Sequence, residues 1–232
     1  MKKILLFTVA SIFLFSFVAG CSSPLSTDTS AKFDFNQNDG GFTAIFADYP
    51  DLQDVENFYE LKHSYGEVPI PNAGKGIFIS GNNHSADLFM GYVKKLDGFK
   101  PGESYHFNVC FKLATDVESD QFGVGGSPGE SVTVKCGIVP VEPKATKESG
   151  YFRMNIDTGV QNNSGKDMTV VGDMSKTENN RPGEYAFKAF TAEFHVTAND
   201  KGEVYLIIGT DSGFEATTSY YLDDISVAWA NK

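Results

Sequence analysis

The stretch Leu96 to Leu113 constrains the fold more than any other part of the chain. Lys100-Pro101-Gly102-Glu103 reads as a tight turn, because Pro101 fixes φ and Gly102 tolerates the positive φ that such turns use. After it, Tyr105, Phe107, Val109, Phe111 and Leu113 alternate with His106, Asn108, Cys110 and Lys112. Apolar residues at period two define one face of a half-buried strand. That face has to be covered by a second layer, so the stretch predicts a β-sandwich. It also places the apolar side of this strand in the core and sends the search for a ligand site to other strands and loops.

The remaining segments read the same way. Short alternating or apolar runs occur at Ala31 to Asn36, Phe42 to Pro50, Gly76 to Ser80, Ala86 to Leu96, Ser131 to Gly137 and Tyr151 to Asp157. Further runs lie around Val170 to Met174, in Glu184 to Val196 (as a pair of short strands), in Gly202 to Gly209 and in Ser219 to Trp229. Gly202 to Gly209 is apolar on both faces, which predicts a central strand. The closing run is expected to return beside the first. Asp51 to Leu61 reads as a short helix or an irregular loop. No stretch carries a sustained helical period, and 20 Phe, 10 Tyr and 23 Gly suit many short strands joined by turns. The chain is read as all-β.

The N-terminus is of another kind. Lys2 and Lys3 precede an uncharged apolar run, Ile4 to Ala19, that is short for a membrane span and suited to a signal peptide. Val18-Ala19-Gly20-Cys21 resembles a bacterial lipobox, which implies cleavage before Cys21 and diacylation of that cysteine. The expected organisation is a lipoprotein signal peptide over 1–20, lipidated Cys21 with a flexible Ser/Thr-rich tether over 21–30, and a single β-sandwich domain over 31–232. Ser22 follows the cysteine, which tilts the expected location toward the outer membrane or cell surface, on the extracytoplasmic side of the envelope.

With Lys2 and Lys3 removed with the leader, 17 basic residues face 30 acidic ones, a balance of −13. Nucleic acid is therefore not an expected partner, since binding it requires basic patches. Two cysteines remain. Cys110 shares a strand face with His106, Asn108 and Lys112, whereas Cys136 shares one with Val132 and Val134. One points outward and the other inward, so two unpaired thiols are expected rather than a disulfide, unless a bulge resets the register.

Catalytic signatures are sparse. The loop Phe122 to Glu130 contains Gly123 and Gly125, but no strand–glycine–helix unit and no Gly-Lys-Ser/Thr follows, so it is no phosphate loop. His63, His84, His106 and His195 lack zinc spacing, and no nucleophile elbow occurs. Strand parity puts Arg153, Asn155 and Asp157 on one polar face, where they hold sugar hydroxyls, serve as a general acid/base tuned by the cation, or form a solvated outer surface. Asn82 and His84 in the loop after Ser80 are a second candidate rim.

Phe33-Asp34-Phe35-Asn36, Gly98 to Tyr105 and Tyr221-Leu222-Asp223-Asp224-Ile225-Ser226-Val227 together resemble the galactose-binding-like jelly rolls of bacterial carbohydrate-binding modules. The resemblance implies a jelly-roll β-sandwich. It also implies a structural calcium between the first and last strands, for which Asp34, Asn36, Asp223 and Asp224 are the matching positions, although the acidic residue usual in that first strand is Glu and here Asp34 stands. No other cofactor is implied. The expected function is non-catalytic recognition of carbohydrate by a lipid-anchored envelope protein, with membrane and glycan as partners. The alternatives are a jelly-roll lyase or hydrolase and a structural or protein-interaction lipoprotein.

Overall fold

The structure, a computed structural model, describes residues 29–84, 87–177 and 181–231. Cys21, the signal segment and most of the tether lie outside the described residues. Fourteen strands run in chain order: β1 (Ser30–Phe33), β2 (Thr43–Ala47), β3 (Tyr49–Pro50), β4 (Lys62–Glu67), β5 (Lys75–Asn82), β6 (Leu88–Asp97) and β7 (Ser104–Thr115). They continue with β8 (Val132–Val139), β9 (Ala145–Glu148), β10 (Tyr151–Met154), β11 (Thr169–Asp173), β12 (Ala186–Thr197), β13 (Glu203–Ser212) and β14 (Thr217–Asn231). The segment from Asp51 to Leu61 forms a single helical turn, α1 (Val55–Phe58).

The front sheet has the order β12-β7-β14-β5-β4, and β1 pairs with β14 outside that path. The back sheet has the order β11-β8-β13-β6-β2. From β5 to β8, and again from β11 to β14, successive strands alternate between the two sheets. That alternation makes the sandwich a jelly roll. All pairings within both sheets are antiparallel.

Alternation dictates what lies between the sheets. Phe107, Val109, Phe111 and Leu113 of β7 meet Val132, Val134, Cys136 and Ile138 of β8 and Leu206 and Ile208 of β13 in one core. Phe107 and Phe111 are fully buried, and each such side chain contributes roughly 2 kcal/mol. The turn before β7 forms as its residues require: Glu103 donates its N–H to the Lys100 carbonyl at 3.1 Å, and Gly102 has φ 72°. β13 is central in the back sheet, and β1 closes on β14 with Phe33 opposite Ile225.

Two sequence expectations are corrected. The region Glu184 to Val196 holds one long strand, β12, rather than a pair, because nothing from Ala186 on interrupts its alternation. The strand from Tyr151 ends at Met154, not at Asp157.

A third layer covers the back sheet. The small sheet β3-β10-β9 and the turn after it place Ile156 and Met168 on Ala47, Phe89 and Ile207, a second core on the outer side of the back sheet. Gly209 permits this packing, since a Cβ there would sit 3.0 Å from the Phe89 ring and 2.5 Å from the Met90 carbonyl. Among the described residues no comparable third layer covers the front sheet.

Candidate functional site: the open face of the front sheet

Residues alternate to the outer side of the front sheet as strictly as to the inner one. Register places Phe187 of β12 opposite Ala114 of β7, Ala114 opposite Tyr221 of β14, Tyr221 opposite Phe78 of β5, and Phe78 opposite Ser64 of β4. These residues form one row across the sheet, at right angles to the strands. Three strand spacings separate Phe187 from Phe78, about 14 Å. Tyr221 and Phe78 have ring centroids 4.9 Å apart, and Tyr185, just ahead of β12, meets Tyr221 edge-on at 5.9 Å. All four aromatic residues are half-buried, whereas Ala114 beneath them is fully buried.

Polar rows flank the aromatic one. On one side lie Ser219, Ser80 and Lys62, with Asn82 opposite Thr217 one row further. On the other side lie Lys112 and Asp223, which are opposite one another. The Lys112 ammonium stands 5.7 Å from the Phe187 ring centroid. Burial raises the Tyr185 phenol above its ordinary pKa, with the nearby Asp116 charge adding to it, against a hydrogen bond with Ser219. Fixed aromatic faces beside hydroxyls, an ammonium and a carboxylate suit a ligand with apolar faces and many hydroxyls. The polar side of β7 contributes Lys112, so the strand assigned only to the core also serves this face.

The candidate residues from the sequence do not assemble into one site. Arg153 donates to Asp48 at 2.7 Å, lies 4.0 Å from Asp87 and stacks over the Tyr151 ring at 4.6 Å. Asn155 accepts the Lys144 N–H at 2.7 Å and donates to the Glu142 carbonyl at 3.0 Å, bracing its own loop. Asp157 accepts the N–H groups of Gly159 and Lys166, both at 3.0 Å, and those bonds hold its carboxyl below the usual range. Strand parity fails here because the strand has already ended.

Asn82 points from β5 to the rim of the open face and donates to Glu60 at 3.1 Å. His84 stacks on Phe58 at 4.4 Å and its Nε2 lies 3.1 Å from the Phe58 carbonyl, so α1 and this loop brace each other.

The calcium positions cluster where β14 exchanges β5 for β1 as its neighbour, at a bulge between Asp223 and Ser226. Asp224 has φ 47° there and pairs with Lys112 at 2.9 Å and Lys32 at 3.5 Å, which hold its carboxyl below the ordinary value. Asp34 accepts the Asn36 N–H at 3.1 Å, and Asp223 accepts that of Asp224 at 2.7 Å. The set fits calcium poorly, since two ammonium groups already neutralise Asp224. Among the described residues no group of three or more His, Cys, Asp or Glu is placed to hold a metal ion. Cys110 and Cys136 are both buried and are not bonded to each other, lying on opposite faces of their sheets as parity requires.

Sequence reasoning missed a charged cluster under the third layer. Lys135 of β8 donates to Asp211 of β13 and to the Thr158 carbonyl, both at 2.8 Å, with the Lys135 and Asp211 side chains almost wholly buried. Asp87 lies two residues before Phe89, the register partner of Asp211. Burial first, then the Asp211 charge, pushes Asp87 up to about 8.

No family model matches the chain, and no curated protein matches it. Solved structures do. The CBM22-1–GH10 modules of a Clostridium thermocellum endo-1,4-β-D-xylanase, complexed with xylohexaose, match 87% of this chain at 15% identity and TM-score 0.41. This chain spans 28% of that one. The family 11 carbohydrate-binding module of a Clostridium thermocellum cellulosomal cellulase matches 88% of this chain and 96% of its own at 11% identity, TM-score 0.42. The K1 cleaved adhesin domain of Lys-gingipain from Porphyromonas gingivalis matches 88% and 99% at 11% identity, TM-score 0.38.

Proposed function

We propose that this chain is a lipid-anchored protein of the cell envelope that binds carbohydrate, without cleaving it, on the open face of its front sheet. The observation that supports this reading is the transverse row Phe187, Tyr221 and Phe78 with Tyr185 against it. A pyranose ring has apolar C–H faces and a polar rim. The aromatic row offers surfaces for the former, while Ser80, Ser219, Lys112 and Asp223 offer donors and acceptors for the latter. A row about 14 Å long spans several sugar units rather than one. The lipid anchor rests on the lipobox at Val18-Ala19-Gly20-Cys21.

Asp87 beside Asp211 favours the rival reading, a glycan-active enzyme, because burial and the Asp211 charge raise the Asp87 carboxyl above its ordinary value. Its geometry does not suit glycoside hydrolysis. Catalytic carboxyls have to reach the sugar, whereas Asp211 is 1% exposed and already bonded to Lys135.

Affinity electrophoresis against a panel of soluble polysaccharides, with product release followed in parallel, tests the reading. Retarded migration on at least one glycan and no new reducing or unsaturated ends is the expected result. Release of product would establish the enzyme, and free migration on every glycan would leave the structural lipoprotein as the answer.

A further inference from the structure

The paths of the two large sheets end in four strands, and three of these edges are defended. β2 and β11 have five residues each, and β11 carries a bulge between Val170 and Gly172. β4 has six, with Lys62 and Glu67 at its ends. Short length, bulges and charges keep an edge from pairing with another chain. β12 differs. It runs for 12 residues without Pro, keeps register with β7 throughout, and has no second partner strand among the described residues. Its first half is guarded: Lys188 bonds Asp173 at 2.7 Å and the Ser175 carbonyl at 2.9 Å, and a Cβ on Gly172 of β11 would sit 2.9 Å from the Phe190 ring. Its second half stands over a cleft of about 390 Å³ lined by Ile138, Pro140, Met168, Phe194 and Val196. Phe194 and Val196 are only half-buried there.

We propose that residues 191–197 of β12 pair antiparallel with the same segment of a second copy of this chain, about a two-fold axis through Phe194. Side chains directly opposed in such a pair lie about 5 Å apart. Glu193 then faces the partner's His195, and His195 faces the partner's Glu193, so each carboxylate accepts from an imidazole N–H. On the inner side Phe194 meets the partner's Phe194, whose ring the cleft receives. The charges select this register. An axis through Glu193 would set two carboxylates against each other in a chain with 30 acidic residues and 19 basic ones. An axis through Ala192 would run the partner into the half guarded by Lys188.

Where the domain begins favours a second copy over an extended strand from another protein. Ser30 opposes Ala228, Ala228 opposes Asn108, and Asn108 opposes Glu193, so β1 starts on the same transverse row as Glu193. Glu193 is one residue from the axis, and the two β1 starts therefore differ by only about 7 Å along the strand direction. Two chains held by Cys21 on one membrane can pair in this way without one start lying far above the other. A two-fold axis normal to the sheet also keeps both open faces on the same side. The pairing goes beyond carbohydrate recognition and does not rest on it.

Sedimentation equilibrium of the whole chain in density-matched detergent, for wild type, Glu193→Lys, His195→Glu and an equimolar mixture of the two variants, tests the pairing. The wild type should sediment as two chains. Each variant alone should pair about tenfold more weakly or worse, since one sets an ammonium against His195 and the other sets two carboxylates together. The mixture should regain the dimer, because the introduced ammonium then faces the introduced carboxylate and the remaining His195 faces the remaining Glu193. That recovery separates a lost interface from a lost fold. A wild type that stays a single chain at every concentration would overturn the proposal and leave the edge to a different protein. Variants that pair as the wild type does, or a mixture that fails to pair, would overturn it as well.

Discussion

Tyr221 and Phe78 stand ring to ring at 4.9 Å across the β14–β5 pair, on the side of the front sheet that no third layer covers among the described residues. Their inner neighbours Tyr220 and Ile77 are fully buried in the core. The same two strands therefore anchor the sandwich with one face and present an aromatic surface with the other. Rigid strands position such a surface more closely than loops do.

The buried pair of Lys135 and Asp211 sets a first expectation. Lys135→Met strips the buried Asp211 of its ammonium partner, at a cost of about 3–5 kcal/mol. Chemical denaturation should show that loss. The double variant Lys135→Met with Asp211→Leu should recover a large part of it, because two apolar side chains leave no charge to desolvate.

The two thiols give a second. Burial raises the Cys136 thiol far above its ordinary value, and Cys110 is also enclosed. Neither should react with a thiol-specific disulfide reagent in the native protein. Both should react at once in denaturant, and a chain oxidised in air should migrate as the reduced one does.

Calcium gives a third. Asp224 is held by Lys112 and Lys32, and the Asp34 carboxylate caps its own turn. Added calcium and added chelator should both leave the melting temperature unchanged in a scanning calorimeter. A rise with calcium that Asp224→Asn abolishes would show that the lysines yield to the ion.

The anchor gives a fourth. Replacement of Cys21 by Ala should end palmitate labelling in a bacterial host and move the protein from the detergent phase to the aqueous phase in a phase-separation assay. Labelling that persists in Cys21→Ala would refute the lipobox reading.

How much of this was legible in the residues depends on where they sit. β7 and β8 alternate cleanly, so their inward faces, the sandwich and the opposite orientation of Cys110 and Cys136 follow from parity. Gly76 to Ser80 reads as apolar throughout, and its alternation gives no sign that Phe78 faces out while Ile77 and Ile79 face in. Tyr220-Tyr221 poses the same problem: one must face outward, and the bulge at Asp223 hides which until the register is known. Arg153, Asn155 and Asp157 went wrong through parity carried past the end of β10. The ion pair of Lys135 with Asp211 joins β8 to β13, a pairing that only tertiary structure brings about.

Calorimetric titration with the glycan retained most strongly in the panel tests the central claim most directly, using Tyr221→Ala, Tyr185→Ala and, as an exposed aromatic away from the row, Phe58→Ala. Tyr221→Ala and Tyr185→Ala should each weaken binding about tenfold or more, about 1.4 kcal/mol, with Phe58→Ala binding as the wild type does. Full affinity in both tyrosine variants, or loss of binding on removing Phe58, would contradict the assignment of the ligand to the open face.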